Sequence, residues 1–278
     1  SRGCQVAVIG AGPGGYLAAI RLAQLGKDVL LIERGPTLGG VCLNEGCIPS
    51  KALIHVTDFM EEAGSANRMG LSFGDIKLDV KKLVKWKDRI VRQLTGGVDF
   101  LVKKNGGEVL RGEARFVGDR RLEVISDDGP VLVEFEQAVI ATGSKQIELP
   151  GFEFDGEDVI GAREALSPTD VPEKLVVIGG GYIGLEMGSV YKRFGSQVDL
   201  VEMADELLAF HDPEVSKAIN QRIKHLGINL HMGHKAIKWE KGTPHRVTIA
   251  DKDGNETVLE ADKIMVSVGR KPISEKIG

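Results

Sequence analysis

The sequence has few cysteines and no long apolar run. Three cysteines occur among 278 residues, Cys4, Cys42 and Cys47, which is too few for a disulfide-rich secreted domain. No apolar stretch approaches the roughly 18 residues that span a bilayer, and the first residues lack the charged-then-apolar pattern of a secretory signal. These absences lead us to expect a cytoplasmic protein, or one from an equivalent reducing compartment, that does not act in a membrane.

An excess of positive charge is also missing. The formal net charge is -4 and the pI is near 5.9, so nucleic acid is not an expected partner. The sequence is 42% hydrophobic and 27% charged, which is typical of a globular protein. Its length suffices for two domains.

A glycine-rich turn follows the first predicted strand, residues 6–9, and precedes a helical pattern that extends to Leu25. A second apolar strand, residues 29–32, is followed by Glu33. A G-x-G-x-x-G turn between strand and helix is typical of a dinucleotide-binding βαβ unit, because its backbone approaches a pyrophosphate closely and the acid can bind ribose hydroxyls. The turn reads Gly10-Ala11-Gly12-Pro13-Gly14-Gly15.

The same arrangement occurs a second time. Residues 175–178 lead into a second glycine turn, and the strand at residues 198–201 is followed by Glu202. Each acid lies 23 residues past the first glycine of its turn. One copy alone is compatible with an ordinary glycine-rich turn, but two matched copies predict two nucleotide sites. Glu202 would repel a 2′-phosphate and so favours NAD over NADP. The second turn reads Gly179-Gly180-Gly181-Tyr182-Ile183-Gly184.

The remaining patterns complete an α/β fold. Residues 48–64 and 78–104 have helical periodicity, and residues 114–139 alternate in the manner of a β-meander. We predict two Rossmann-like nucleotide-binding domains, with a parallel sheet and a β-meander in each. The first domain is predicted to end near Gly151, and residues 168–173 lead into the second.

Cys42 and Cys47 lie in a segment that also carries Lys51. Four residues separate the two cysteines, and no second cysteine pair or Cys/His set completes a zinc site. A helix predicted to begin near Cys47, together with the charge of Lys51, would favour a thiolate. Two buried thiols beside a glycine turn remain the alternative, and Cys4 is interpreted as an inert packing residue. The segment reads Gly39-Gly40-Val41-Cys42-Leu43-Asn44-Glu45-Gly46-Cys47-Ile48-Pro49-Ser50-Lys51.

This segment resembles the signature G-G-x-C-x-x-x-x-C-x-P-x-K of the pyridine-nucleotide disulfide oxidoreductases. The resemblance implies a redox-active Cys42–Cys47 disulfide, with Cys42 exchanging with substrate and Cys47 nearer the flavin. It also implies that residues 1–148 form an FAD domain, that residues 149–270 form an NAD domain, and that residues 271–278 begin a return to the first. The implied reaction oxidises a protein-bound dihydrolipoyl group to lipoamide and reduces NAD through FAD.

Site residues follow from the same resemblance. Cys42, Cys47, Lys51 and Glu186 are the expected catalytic residues, with Lys51 near the flavin N5 and paired with Glu186; no metal is expected. Expected contacts of FAD are Gly10, Gly12, Pro13, Gly14, Gly15, Glu33, Arg34, Gly40, Val41, Cys42, Lys51, Ala114, Ala141, Thr142, Gly143 and Ser144. Expected residues on the NAD side are Gly179, Gly181, Tyr182, Ile183, Gly184, Glu186, Glu202, Ala236 and Gly269.

The implied partners are the lipoyl groups of 2-oxoacid dehydrogenase or glycine cleavage complexes, and a second copy of the full-length chain as a homodimer. Two features depart from the family pattern. Val41 replaces a common threonine, and the sequence stops at Gly278, before the family's later flavin contact, interface domain and His-Glu pair. We therefore expect weak or absent turnover from this stretch alone. A mercuric or glutathione-type reductase, or a noncatalytic nucleotide-binding fragment, remain alternatives.

The six histidines are interpreted as surface or packing residues. None of them lies in the family's His-Pro context, and no carboxylate pattern accompanies His231 and His234 to support a metal site. The histidines are at positions 55, 211, 225, 231, 234 and 245.

Overall fold

The computed structural model describes residues 1–275 and 277–278. Their contacts divide the chain into two compact units, neither of which is one continuous segment. The first unit comprises Ser1–Pro49, Asp88–Lys145 and Lys271–Gly278, and the second comprises Ser50–Lys87 and Gln146–Arg270. The sequence-based boundaries had counted residues 50–87 with the first unit, whereas their contacts are with the second.

The first unit is built on one six-stranded sheet with strand order β3-β2-β1-β6-β5-β4. β1, β2, β3 and β6 pair in parallel, and β4, β5 and β6 form an antiparallel meander. The long strand β6 belongs to both parts, so the meander continues the parallel sheet. The elements are β1 Arg2–Ile9, α1 Pro13–Gln24, β2 Val29–Glu33, α2 Gly40–Glu45, β3 Glu108–Arg111, β4 Glu113–Gly118, β5 Arg121–Ser126 and β6 Gly129–Ile140.

Two long helices contribute residues to both units. They are α3, Cys47–Ser65, and α4, Val80–Lys104. Both coincide closely with the predicted helical patterns. A short 3₁₀ helix, Ala66–Met69, follows α3.

The second unit has a five-stranded parallel sheet of order β11-β10-β9-β15-β8 and a separate three-stranded antiparallel sheet, β12-β13-β14. Its elements are β8 Val159–Ile160, α5 Ala162–Ala165, β9 Lys174–Ile178, α6 Tyr182–Phe194, β10 Gln197–Glu202, α7 Pro213–Leu226, β11 Asn229–Met232, β12 Lys235–Glu240, β13 His245–Ala250, β14 Glu256–Ala261 and β15 Lys263–Val266. β7, Ser144–Gln146, and β16, Arg270–Pro272, form a two-stranded ladder.

Burial explains why the central strands are apolar without alternation. Residues 6–9 and 175–178 are buried on both faces of their sheets, as expected for parallel strands covered on both sides. Helix ends carry their own signals: Asp212 accepts the Glu214 backbone N–H at the start of α7, and Gly227 ends that helix in the left-handed region. The predicted α/β fold with a meander in each unit is confirmed.

Candidate functional site

In the first G-x-G-x-x-G turn, the first and third motif glycines, Gly10 and Gly15, cannot be replaced by other residues. Gly10 has φ +96°, and a Cβ on it would lie 2.3 Å from the Ala141 carbonyl oxygen. A Cβ on Gly15 would lie 1.7 Å from the Gly10 carbonyl oxygen. Since backbone atoms cannot yield to such contacts, no other residue fits at either position.

The second turn repeats these contacts in its own unit. Gly179 has φ +109°, and its Cβ would lie 2.5 Å from the Ser267 carbonyl oxygen. A Cβ on Gly184 would lie 2.1 Å from the Gly179 carbonyl oxygen. Each third glycine therefore lets a helix begin directly against its turn.

The middle glycines precede the two helices. Gly12 and Gly181 are extended N-cap residues of α1 and α6, and neither supplies a side-chain cap. No atom lies within 4 Å of a Cβ placed on Gly181. Backbone N–H groups at uncapped helix starts suit the pyrophosphate of a dinucleotide.

Glu33 and Glu202 occupy matched positions at the ends of β2 and β10. Glu33 accepts the backbone N–H of Ala11 and of Gly35, both at 2.7 Å. Glu202 accepts those of Gly180 at 2.6 Å and Ala204 at 2.7 Å. Each carboxylate thus holds its glycine turn against the strand end and retains lone pairs for ribose hydroxyls.

The cysteine segment packs on the first glycine turn. The Gly39 N–H donates to the Ala11 carbonyl at 2.8 Å. A Cβ on Gly40, which has φ +56°, would lie 2.5 Å from the Gly12 Cα. Backbone therefore contacts backbone at the start of α2, the helix that carries Val41 and Cys42.

The two cysteines lie in consecutive helices. Cys42 is half-buried in α2 and packs in the core cluster that includes Leu43, whereas Cys47 is exposed and is the first residue of α3. Gly46 alone separates the helices. The predicted helix start at Cys47 is confirmed; the disulfide stays a prediction.

Lys51 and Glu186 meet within the second unit. The Lys51 Nζ donates to Glu186 Oε1 at 2.5 Å, with side-chain exposures of 60% and 27%. Lys51 lies one turn into α3, and Glu186 lies just past the first turn of α6. The structure therefore brings together the pair that the family resemblance implied.

The remaining predicted residues lie near the turns or on the meanders. In the first unit, Pro13 and Gly14 begin α1, Arg34 faces Glu113 at 3.9 Å, Ala114 lies in β4, and Ala141, Thr142, Gly143 and Ser144 follow β6. In the second unit, Tyr182 and Ile183 begin α6, Ala236 lies in β12, and Gly269 follows β15. Their contacts with nucleotides stay predictions.

The sequence reasoning missed Ser267. Its hydroxyl lies 3.2 Å from the carbonyl oxygens of Ile178 and Gly179, directly beneath the second turn. Ala141 has the corresponding position in the first unit, because each residue follows the last strand of its parallel core and precedes a glycine two residues later. Comparing the two copies at the strands β6 and β15 as well would have identified Ser267.

Other candidate residues have structural partners. His231 binds Asp199 at 2.8 Å, and His234 binds the Met232 carbonyl at 2.8 Å. Burial raises the pKa of the Cys4 thiol, which keeps it protonated. Within residues 1–275 and 277–278, no group of three His, Cys, Asp or Glu side chains is arranged to hold a metal ion.

Two matched βαβ turns, one with a cysteine segment against it, define a class of protein with two dinucleotide sites and a nearby pair of thiols. A profile of the pyridine nucleotide-disulphide oxidoreductase family matches residues 4–277. The chain belongs to this family. The predicted family is confirmed.

Relatives and solved structures agree. The chain is 44% identical to dihydrolipoyl dehydrogenase of Halobacterium salinarum, over 100% of this chain and 59% of the relative. It is 42% identical to that of Bacillus subtilis, over 98% and 57%. LpdA from Mycobacterium tuberculosis has the same fold, with a TM-score of 0.89 at 23% identity over 99% of this chain and 60% of that one. The chain thus spans about six tenths of the length of these proteins. No helix in the described residues is long and apolar enough to cross a membrane.

Proposed function

We propose that the chain is the FAD- and NAD-binding part of a dihydrolipoyl dehydrogenase. The contact between the cysteine segment and the first glycine turn carries the proposal. Gly40, which begins the helix that carries Cys42, packs on Gly12 of the first turn. A dinucleotide bound at this turn would therefore lie close to the cysteine segment. This is the placement that a flavin beside a redox disulfide needs, and the relatives' names support the substrate.

FAD is assigned to the first turn on this basis. Gly10, Gly12 and Gly15 would hold the pyrophosphate at the start of α1, and Glu33 would bind the adenosine ribose. The fit is supported by backbone contacts that leave no space for Cβ atoms at Gly10 and Gly15. The segment after β6, Ala141–Ser144, and Ala114 on the meander would complete the site.

NAD is assigned to the second turn. Gly179, Gly181 and Gly184 would hold its pyrophosphate, with Ala236 and Gly269 nearby. Glu202 disfavours a 2′-phosphate because its carboxylate already lies at the strand end, where that phosphate would be placed. This supports NAD over NADP, and it separates the proposal from reductases that use NADPH.

Cys42 and Cys47 would exchange electrons with the substrate by thiol–disulfide exchange. One thiolate of the dihydrolipoyl group attacks the Cys42 sulfur, the Cys42–Cys47 bond breaks, and a mixed disulfide forms. The second substrate thiolate then displaces Cys42, which leaves a lipoyl disulfide and two reduced cysteines. The substrate has lost two electrons and two protons.

FAD, when bound, supplies the chemistry that takes this electron pair from the cysteines and passes it as hydride to NAD. The chain's own residues prepare the thiols for this step. Cys47 is the first residue of a 19-residue helix, whose N-terminal backbone N–H groups place partial positive charge near the sulfur. Lys51, four residues later, adds a positive charge that Glu186 holds in place.

The proposal extends to the partners, the cellular compartment and the domains of the full-length protein. Lipoyl groups of 2-oxoacid dehydrogenase or glycine cleavage complexes would be the substrates, in the cytoplasm or an equivalent compartment. The full-length protein would be a homodimer, and residues 1–148 and 149–270 would be its FAD and NAD domains.

An absorption titration tests the proposal. Purified chain is mixed with FAD, its flavin spectrum is recorded, and NADH is added without oxygen. We expect bound flavin, two additional titratable thiols after reduction, and a long-wavelength band from a thiolate beside flavin. Cys42→Ser and Cys47→Ser should each abolish the thiol gain, whereas the matched control Cys4→Ser should keep it.

Three outcomes would contradict the proposal. Protein that stays colourless with excess FAD would remove the flavin site. A preference for NADPH would favour a mercuric or glutathione-type reductase. Flavin binding without any change in thiol count would favour a noncatalytic nucleotide-binding fragment.

A further inference from the structure

α3 and α6 carry oppositely charged residues at the same seven-residue spacing. Lys51 and Asp58 lie on α3, and Glu186 and Arg193 lie on α6. Lys51 pairs with Glu186, and Asp58 pairs with Arg193. All four residues belong to the second unit. Only the first of these ion pairs has a part in the proposed function.

Arg193 has the least exposed side chain of these four charged residues. Its side chain is 12% exposed, its Nη2 lies 3.2 Å from Asp58 Oδ1, and its Nε donates to Glu61 Oε2 at 2.8 Å. Arg222 on α7 contacts the same Glu61 carboxylate. Burial would by itself raise the pKa of Glu61, but the hydrogen bonds from Arg222 and Arg193 outweigh it and lower that pKa. The carboxylate therefore stays charged.

The spacing fixes how the two helices align. Seven residues of α-helix span about 10.5 Å, so both ion pairs form together only when the helices run in the same direction in one register. A slide of one turn, about 5.4 Å, separates the partners of both pairs. A slide of two turns that sets Asp58 beside Glu186 places like charges together.

Apolar packing also joins α3 and α6. Leu53 of α3 is fully buried in the core that includes Leu185 and Val190 of α6. The ion pairs add charge complementarity to this packing, because a shifted register would place like charges side by side.

We propose that Arg193 is a positioning residue for the Lys51–Glu186 pair, because its contacts with Asp58 and Glu61 hold α3 and α6 in the register at which Lys51 reaches Glu186. Arg193 touches neither Lys51 nor, in the proposed function, cofactor or substrate. Its effect on the redox centre rests on that proposed function, since Lys51 matters there as the cation near Cys47 and the flavin.

Competitive acylation of lysines tests this directly. Acylation requires the reagent to reach the Lys51 nitrogen, and the contact with the Glu186 carboxylate restricts that approach. The purified chain without added nucleotides is treated with a trace of acetic anhydride, and mass spectrometry gives the labelling of Lys51 relative to Lys103. Lys103 is a suitable reference because it pairs with Asp99 within the first-unit part of α4.

Arg193→Ala should raise the relative labelling of Lys51 about two- to fivefold, the factor that the loss of an exposed ion pair corresponds to. Glu186→Gln removes the partner itself and sets the upper limit. Arg193→Lys keeps a cation and should restore at least half of the difference. Circular dichroism shows whether each variant is folded.

Arg222→Ala is the matched control. It removes the other cation on Glu61 but leaves Arg193 paired with Asp58 and Glu61 of α3, so Lys51 labelling should stay within the error of the wild type. If Arg193→Ala does not fold, Asp58→Asn takes its place, because Asp58 is half-exposed and its loss should give a smaller rise in the same direction.

Unchanged Lys51 labelling in a folded Arg193→Ala or Asp58→Asn variant would overturn the proposal. So would equal rises in Arg193→Ala and Arg222→Ala, because general loosening of Glu61 would then explain both. A Glu186→Gln variant that labels like the wild type would show that the pair does not form in solution. None of these outcomes depends on flavin, so each differs from failure of the proposed function.

Discussion

The two units contain the same glycine-rich turn, but their sheets are extended in different ways. In the first unit β6 extends the parallel sheet into the meander, and in the second the meander is a separate sheet. Residues at corresponding positions of the two parallel sheets also differ in polarity. Leu30 of β2 is fully buried among apolar side chains, whereas the corresponding Asp199 of β10 binds His231 and Asn229. The turn is thus the constant part, and the supporting sheet varies.

This comparison shows which contacts the turn needs. Both copies keep the first and third glycines, and both keep a carboxylate on the backbone N–H after the first glycine. The residue beneath the turn differs, Ala141 in one and Ser267 in the other. Backbone geometry is therefore the requirement, and side-chain support can be replaced.

The largest effect should come from the third glycines. Gly15→Ala and Gly184→Ala each force a methyl group onto a carbonyl oxygen, which should cost about 3 kcal/mol of stability in the affected unit. Gly15→Ala should abolish flavin binding and Gly184→Ala should abolish NAD binding, measured by absorbance and calorimetry.

Gly97→Ala is the control for these substitutions. No atom lies within 4 Å of a Cβ placed on Gly97 in α4, so this change should stabilise the protein by roughly 0.5–1 kcal/mol. If Gly15→Ala lost NAD instead of flavin, the assignment of the two turns would be reversed.

Substitution of Glu33 or Glu202 should have the second-largest effect on stability and nucleotide binding. Glu33→Gln and Glu202→Gln each place an amide NH₂ where one backbone N–H needs an acceptor, at a cost of about 2 kcal/mol. Each should weaken its own nucleotide about tenfold or more and leave the other unchanged. Glu123→Gln, on the exposed face of β5, is the matched control, and an equal loss in that variant would argue against a role at the turns.

Lowering the pH should destabilise the sheet of the second unit through Asp199, for which the first unit has the apolar Leu30. Burial alone would raise the pKa of this carboxyl, but hydrogen bonds from His231 and Asn229 outweigh burial and hold its pKa below the ordinary value. A lowered folded-state pKa contributes stability that is present above the unfolded value, near pH 4, and is lost as pH falls through the folded value.

Asp199→Asn should therefore cost about 1–2 kcal/mol at pH 7 and reduce the loss of stability below about pH 4. Urea unfolding midpoints from pH 7 to pH 3 measure this. An unchanged slope in the variant would remove Asp199 from the acid response of the second unit.

Ser267→Ala should have the smallest effect. It gives the second turn the residue type found beneath the first and removes hydroxyl contacts with two carbonyl oxygens, which should cost about 1 kcal/mol. NAD affinity should fall less than tenfold. A loss as large as that of Gly184→Ala would mean that Ser267 does more than support the turn.

Local patterns predicted the parts of this molecule that depend on near neighbours in the sequence. The strands ending at Ile9 and Ile178, the turns and both acids follow from spacing and residue type. The start of β1 did not: it begins at Arg2, four residues before the predicted Val6, because Arg2–Cys4 pair with residues 133–135 of β6. Such a partner is invisible to a local pattern.

Long-range contacts also explain why residues 50–87 group with the second unit. Leu53 and Leu83 pack in the core of the second unit, although both lie between segments of the first. The pairing of Lys51 with Glu186 came from family resemblance alone, and nothing in the sequence indicated Arg193 as a partner of Asp58. Side chains 135 residues apart meet only once the fold exists.

The position of β1 has a consequence for synthesis. β1 lies in the middle of its sheet, between β2 and β6, and β6 leaves the ribosome about 130 residues later. Until then one edge of an apolar strand has no neighbour, which is a template for pairing with other chains. We expect nascent chains that stop short of β6 to need chaperones, and chains that include it to be released from them.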